Sequence, residues 1–232
     1  WLYGGCRKVL VPSGDVARRL TDAGWNEHRL IVWPGAVDAD AFSPARRSQR
    51  LRSAWHVSER RPAILCVGTL SRGSGMDLIE PLGSLLHGRG IAHRFIVVGE
   101  GPALSEFQEA CPDAVFAGRL SPRDLASVMA SADLLFRPAA VDTTGLVLLE
   151  AQASGLPVLV TGGGSVRDHM RPGLTGLVCR PDDALGLAAR AAELLMDPAR
   201  RRGMGEAARR FAQARSWQTS LERVYALYRS TS

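Results

Sequence analysis

Two carboxylates in one short stretch are the first residues with chemistry to offer. In VDTTGLVLLEAQASGLPVLVT, residues 141 to 161, Asp142 precedes an apolar run and Glu150 lies inside it. On a helix Glu150 shares a face with Leu146 and Val147, four and three positions earlier, a face otherwise suited to a core. A buried carboxylate without donors costs several kcal/mol, so something is expected to donate to it. If the helix starts near Thr144, the first free amides, of Thr144, Gly145 and Leu146, present the positive end of a helix dipole, where a pyrophosphate fits. Glu150 then lies roughly 9 Å further along the axis, about the span from a diphosphate to a ribose whose two hydroxyls are donors. Two plainer readings stay open: Glu150 paired with a neighbouring arginine, and Asp142 as a helix cap.

Elements must hold these acids in place. From Ala63 onward, apolar strands at 63–68, 94–99, 114–118, 133–138, 157–161 and 176–179 alternate with helical stretches, the pattern of a doubly wound parallel sheet covered on both faces. Three helices follow, near 183–196, 198–214 and 217–229. Before Ala63 there is one β-α-β piece, with strands at 8–13 and 29–34 and Ser13 as the N-cap between them, then a polar stretch at 35–62 read as a linker with a short helix near its end.

Ligands of such sheets bind beyond the carboxyl ends of the strands, near the topological switch point. The turns there are GTLSRGSG (68–75), GEGP (99–102), GRLSP (118–122), RPAAVDTTG (137–145) and TGGGS (161–165). The glycines of the first would let amides approach an anion. Yet it matches neither GxGxxG nor the GK[ST] of a P-loop, and a turn with incidental glycines fits it too. Arg119 ends a strand where it could meet a base or a phosphate, or simply solvent. Ser121 and Pro122 announce a helix, Ser165 is a candidate cap for SVRDHM, and TGGGS reads equally well as a mobile loop.

Composition narrows the classes. The formal net charge is +6, with Lys8 the only lysine, which admits phosphate-bearing ligands, nucleic acid or an anionic membrane. Charge alone argues for nucleic acid, and the interleaved aromatics that would support it are absent, so no nucleic-acid partner is expected. The arginine run at 198–210 reads as a solvated helical face, with contact to an anionic membrane as the alternative. Cys6, Cys66, Cys111 and Cys179 are scattered and read as small core fillers, and the five histidines form no metal-binding spacing. No signal peptide or membrane span is visible, so the chain reads as cytoplasmic. Its opening on Trp1, with elements that look like the middle of something, leads us to expect a fragment.

With strand, acid, small residues, glycine, apolar helix and second acid in this order, the segment resembles the retaining glycosyltransferases of family 4, whose hallmark is a pair of acids separated by seven residues. DTTGLVLLEAQASGLPVLVT is most similar to the branch with aspartate in a DTFG-like turn, which includes mannosyl- and sulfoquinovosyl-transferase-like enzymes. VGTLSRGSGMDL resembles the family's first glycine-rich loop, VVGEGP its second turn, GLTGLVCRPDD the segment after the ribose helix, and RLIVWPGAVDADAFSP the interdomain linker. The resemblance implies the carboxyl-terminal half of a GT-B fold. Residues 1–45 would be the tail of an amino-terminal acceptor domain and the linker start, 46–62 linker, 63–214 the nucleotide-sugar-binding Rossmann-like domain, and 215–232 the crossover helix.

It further implies sugar transfer with retention, without metal or other cofactor, from a GDP- or UDP-linked donor. The acceptor would be lipid-linked or a polysaccharide, at the inner membrane face through peripheral contact. By the same resemblance Glu150 binds the ribose, and Asp142 with Thr143, Thr144, Gly145 and Leu146 holds sugar and diphosphate. Arg119 and Leu120 lie by the base, and Gly68, Thr69, Arg72, Ser74 and Gly99 line the donor site. The family's arginine and lysine in the first loop are Thr69 and Ser74 here, with Arg72 expected to substitute in part. Thr144 replaces the aromatic of the turn. A nucleotide-binding relative that has lost transfer chemistry is the competing implication.

Overall fold

A computed structural model describes residues 5–33, 35–138, 145–162 and 166–231. Two parallel strands, β1 (Val9–Val11) and β2 (Leu30–Val32), flank α1 (Gly14–Asp22), which starts where the Ser13 hydroxyl accepts the Val16 amide at 3.2 Å. Then come α2 (Gln49–Ala54), β3 (Ala63–Val67), α3 (Ile79–Gly88), β4 (Arg94–Val98), α4 (Leu104–Ala110) and β5 (Val115–Phe116). The second half runs α5 (Pro122–Ser131), β6 (Leu134–Pro138), α6 (Leu146–Ala153), β7 (Val158–Thr161), α7 (Val166–His169) and β8 (Gly176–Cys179). It closes with α8 (Ala184–Met196), α9 (Pro198–Gln213) and α10 (Trp217–Thr231).

The six later strands form one parallel sheet in the order β5-β4-β3-β6-β7-β8. The chain winds outward from β3 in one direction, then returns to β6 and winds outward in the other, so the expected doubly wound sheet is present. Its switch point lies between β3 and β6. Alternate residues of each strand face opposite layers. Leu65, Ile96, Leu135, Val158 and Val160 pack with α5, α6 and α9, while Ile64, Cys66, Val97, Leu134 and Phe136 pack with α3, α4 and α8. These runs of Val, Ile and Leu read as continuous because both faces are covered.

Three readings from sequence gain detail. The stretch 35–62, read as a linker with a short helix near its end, carries that helix as α2 and is packed: Ala36, Val37, Phe42 and Trp55 are buried, and the last three join the core beneath α5 and α6. Asp133 fastens it, accepting from Arg52 at 2.9 Å and from the Ala63 amide at 2.8 Å, with Arg47 at 3.3 Å. Irregularly spaced apolar residues carry no period, which hid them. The arginine run is not simply a solvated face. Arg201 is buried and donates to the Leu194 and Leu195 carbonyls, while Arg209 donates to those of Ala39, Phe42 and Ala153. Of the cysteines read as core fillers, Cys66 and Cys179 are buried, Cys111 is half-buried and Cys6 is exposed. Among the described residues no helix is long and apolar enough to cross a membrane.

Candidate functional site

The turns after β3, β4 and β5 are stitched together at the carboxyl edge of the sheet. Gly68 donates to Val98 O and Leu70 to Glu100 O, each at 3.0 Å, and Ala103 donates back to Leu70 O at 3.0 Å. The Gly99 amide reaches Gly118 O at 2.9 Å, tying in the third turn. Gly99, at φ +140°, has no room for a side chain, since a Cβ there would stand 1.9 Å from the Gly68 carbonyl oxygen. Gly75 lies against Pro138 in the same way, with a Cβ only 2.8 Å from that ring. Of the glycines that suggested an anion loop, Gly75 thus serves the close approach of the first loop to the end of β6, while Gly73 faces open space.

Within that loop Thr69 is exposed. Ser74 closes the turn, donating to Ser71 O at 2.7 Å and accepting the Met76 amide at 3.3 Å. Arg72 lies on the outer surface in a two-pronged pair with Glu106, at 3.1 and 3.0 Å. Arg119 is exposed beside the half-buried Leu120, which packs on the core. The first loop therefore brings together its expected members but directs its one cation at Glu106.

Across the switch point, α6 begins at Leu146 rather than near Thr144, with Gly145 at φ +61° as its N-cap and no side chain capping it. Leu149 donates to Gly145 O at 3.0 Å, the first helical bond. Asp142, Thr143 and Thr144 lie outside the described residues, as does Ser165 of the TGGGS turn. Gly145 is required on two grounds: its left-handed backbone, and the ring of the buried His169, which a Cβ would approach to 2.1 Å. Gln152, also buried, donates to His169 O at 2.7 Å and to Leu148 O at 3.0 Å, so α6 and α7 are locked together behind the N-cap. His169 and Gln152 escaped the sequence reading because a lone histidine and a lone glutamine carry no spacing signal.

Glu150 sits on the third residue of the first full turn beyond Val147, half-buried. Its face is not the core face that the spacing suggested, since Leu146 is 42% exposed and the buried residues are Leu148, Leu149, Ala151, Gln152 and Ala153. Among the described residues it has no ion pair, and no charged partner contributes to its electrostatics. Burial alone pushes its carboxyl up from the ordinary 4.5 to about 7. What the site offers is the start of α6, which no side chain caps, and a half-buried carboxylate one turn inward.

The model of a family described as glycosyl transferases group 1 matches residues 61–197. A GDP-mannose-dependent alpha-mannosyltransferase of Corynebacterium glutamicum is 32% identical over 217 residues, covering 94% of this chain and 51% of that protein. A sulfoquinovosyl transferase of Arabidopsis thaliana is 29% identical over 231 residues, covering 97% and 44%. The chain thus spans about half the length of the curated relatives it matches. In three dimensions it is similar to Anabaena HepE, a structure solved in complex with UDP, at a TM-score of 0.85 and 19% identity over 97% of this chain and 64% of that one. The six-stranded unit has the fold of the carboxyl-terminal Rossmann-like half of GT-B proteins.

Proposed function

Because the chain belongs to the glycosyl transferases group 1 family, we propose that it carries the donor site of a retaining, metal-independent glycosyltransferase, with a nucleoside-diphosphate sugar as donor. The observation that carries this reading is Glu150. A chain keeps a half-buried carboxylate, without an ion-pair partner and raised to about 7, where a ligand supplies its donors, and the two hydroxyls of a ribose are such donors. The diphosphate then lies by the amides at the start of α6, which carry the positive end of the helix dipole toward the charge that develops on the leaving group. Asp142, Thr143, Thr144 and Gly145 hold the sugar side in this proposal.

GDP-mannose is the donor that this reading favours, on the DTTG turn and on the name of the Corynebacterium relative. The proposed acceptor is lipid-linked or a polysaccharide, met at the inner face of the membrane. A second reading has its own observation: with Thr69 and Ser74 uncharged and Arg72 held by Glu106, a nucleotide-binding relative without transfer activity also fits.

Calorimetric titration of the 232-residue chain with GDP, UDP and ADP, alongside Glu150→Ala, tests the donor site. Preferential binding of GDP that is lost in the variant is the expected result. Binding of none of the three overturns the assignment. Hydrolysis of GDP-mannose by the chain, measured as released mannose, separates the enzyme from the binding-only reading.

A further inference from the structure

At the amino edge of the sheet, opposite the turns of the donor site, a cavity gathers arginines. It lies beside the starts of β6 and β7, between the end of α5, the turn after α6 and one face of α9. Its volume is about 400 Å³, within the range of ligand sites. Four guanidiniums and a single carboxylate line it. Arg202, Glu206, Arg209 and Arg210 stand at helical spacing on α9, and Arg47 comes from the segment before α2.

Backbone oxygens fix two of the cations from behind. Arg47 Nη1 donates to the Ala130 and Ala132 carbonyls at 3.2 and 3.3 Å, and Arg209 Nη1 to those of Ala39 and Phe42, each at 2.6 Å, and of Ala153. Arg47 also meets Asp133, and Arg202 pairs at the surface with Glu59, each at 3.3 Å. Among the described residues Arg209 has no carboxylate at ion-pair distance, and the side chains of Arg210 and Glu206 make no hydrogen bond or ion pair. Burial pulls the Arg209 guanidinium below the usual arginine range although Asp40 acts the other way, as befits a cation short of counter-charge. The floor carries a second sign. Ser154, only 4% exposed, lines the cavity, and its Oγ is buried with no hydrogen-bond partner among the described residues. Leaving such a hydroxyl orphaned costs about 1–3 kcal/mol. The helix is seated directly on this floor, since a Cβ on Gly205 would stand 2.2 Å from the Gly155 carbonyl oxygen.

We propose that this cavity is a phosphate-binding site, separate from the donor site, that takes a phosphomonoester, either free or as the head of an anionic lipid. A phosphomonoester brings a charge of about −1.5 to −2 and three acceptor oxygens, which suits several guanidiniums and a hydroxyl better than the single charge of a carboxylate. The arginine run then divides its work: Arg201 braces the end of α8, while Arg202, Arg209 and Arg210 turn to one cavity. Glu206 opposes the anion and limits its affinity.

Calorimetric titration of the 232-residue chain with inorganic phosphate and with glycerol phosphate tests the site, on the wild type and on Arg210→Gln, Ser154→Ala, Glu206→Gln and Arg89→Gln. The exposed Arg210 side chain holds no other part of the fold, so its loss reports on the ligand. Arg89→Gln removes the same charge at the end of α3, on the other layer. The expected result is saturable binding that Arg210→Gln weakens at least tenfold, the worth of one charge-assisted hydrogen bond. Ser154→Ala should weaken it less, Glu206→Gln should strengthen it, and Arg89→Gln should leave it unchanged. Cosedimentation with phosphatidylcholine vesicles, with and without phosphatidic acid, tells the two sources apart. Retention by phosphatidic acid that Arg210→Gln abolishes makes the lipid head the ligand, and binding in solution without retention makes it a free phosphomonoester.

No phosphate binding in solution, an affinity unchanged in Arg210→Gln, or equal losses in Arg210→Gln and Arg89→Gln would overturn the proposal. So would a parallel loss of GDP affinity in Arg210→Gln, which would put the phosphate at the donor site. A wild-type chain that binds phosphate and no GDP counts against the donor-site reading alone.

Discussion

Replacing Glu150 by glutamine should make the free protein more stable and the nucleotide complex weaker. Burial raises this carboxyl from 4.5 to about 7, so between those pH values the native state binds a proton that the unfolded chain has released. Stability contributed by the protonated form is complete below 4.5 and is lost as pH rises through 7. At 1.36 kcal/mol per pH unit the gap bounds the loss at about 3 kcal/mol. The group is only half-buried and solvent screens it, so about 1–2 kcal/mol is the expected figure at pH 8. For a chain of this size that corresponds to a melting temperature higher by about 3–6 °C in Glu150→Gln.

Thermal unfolding followed by circular dichroism at pH 4.5, 6 and 8 reads the difference, which should grow from near zero to its full value. Ribose hydroxyls need the ionised acceptor, so GDP binding to the wild type at pH 6 should release nearly one proton, visible as heat that varies with the buffer's ionisation enthalpy. At pH 8.5 that release should vanish. A glutamine variant that is less stable than the wild type at pH 8, or a difference that does not change with pH, would refute the reasoning.

Asp133→Ala should lower stability by about 3 kcal/mol, read from the urea midpoint, because Arg52 would remain buried without its carboxylate. Pairing it with Arg52→Met should return part of the loss. Gly145→Ala should disturb the start of α6, with a left-handed backbone and a clash with His169, and should weaken GDP at least tenfold in calorimetry. Adding His169→Ala relieves the clash and should restore folding without restoring full affinity, since the φ of +61° remains unfavourable to alanine. Gly99→Ala meets a carbonyl oxygen rather than a movable side chain, so it should destabilise the chain with no single compensating change.

The sheet was legible because its signal is periodic. Runs such as AILCV and FIVV are apolar at every position, as suits a strand covered on both faces. Helix starts were legible where the cap chemistry is local: Ser13 accepts the Val16 amide and Ser121 that of Asp124. What escaped was tertiary. Phe42 and Trp55 enter the core from a polar stretch without a period, Arg201 turns its charge to carbonyls at the end of the preceding helix, and Arg209 to carbonyls distant in the chain. A charge run in sequence reports composition, whereas its role depends on which backbone ends lie within reach.

The site divides along the same line. The order of acid, glycine, apolar helix and second acid is a local pattern, and it nominated Glu150 and Gly145 as candidates before any fold was known. Arg72 was the natural cation to nominate, since it shares a loop with Thr69 and Ser74. Nearness along the chain misleads here, because a loop residue with an exposed stem is free to turn outward to Glu106, 34 residues away. Arg137 is 69 positions from Gly68 by subtraction of their numbers, yet strand pairing of β3 with β6 brings its guanidinium to that residue. In a doubly wound sheet the switch point joins the ends of two strands separated by half the domain. A residue at one of these ends therefore lies beside the other end, however far apart the two stand in the chain.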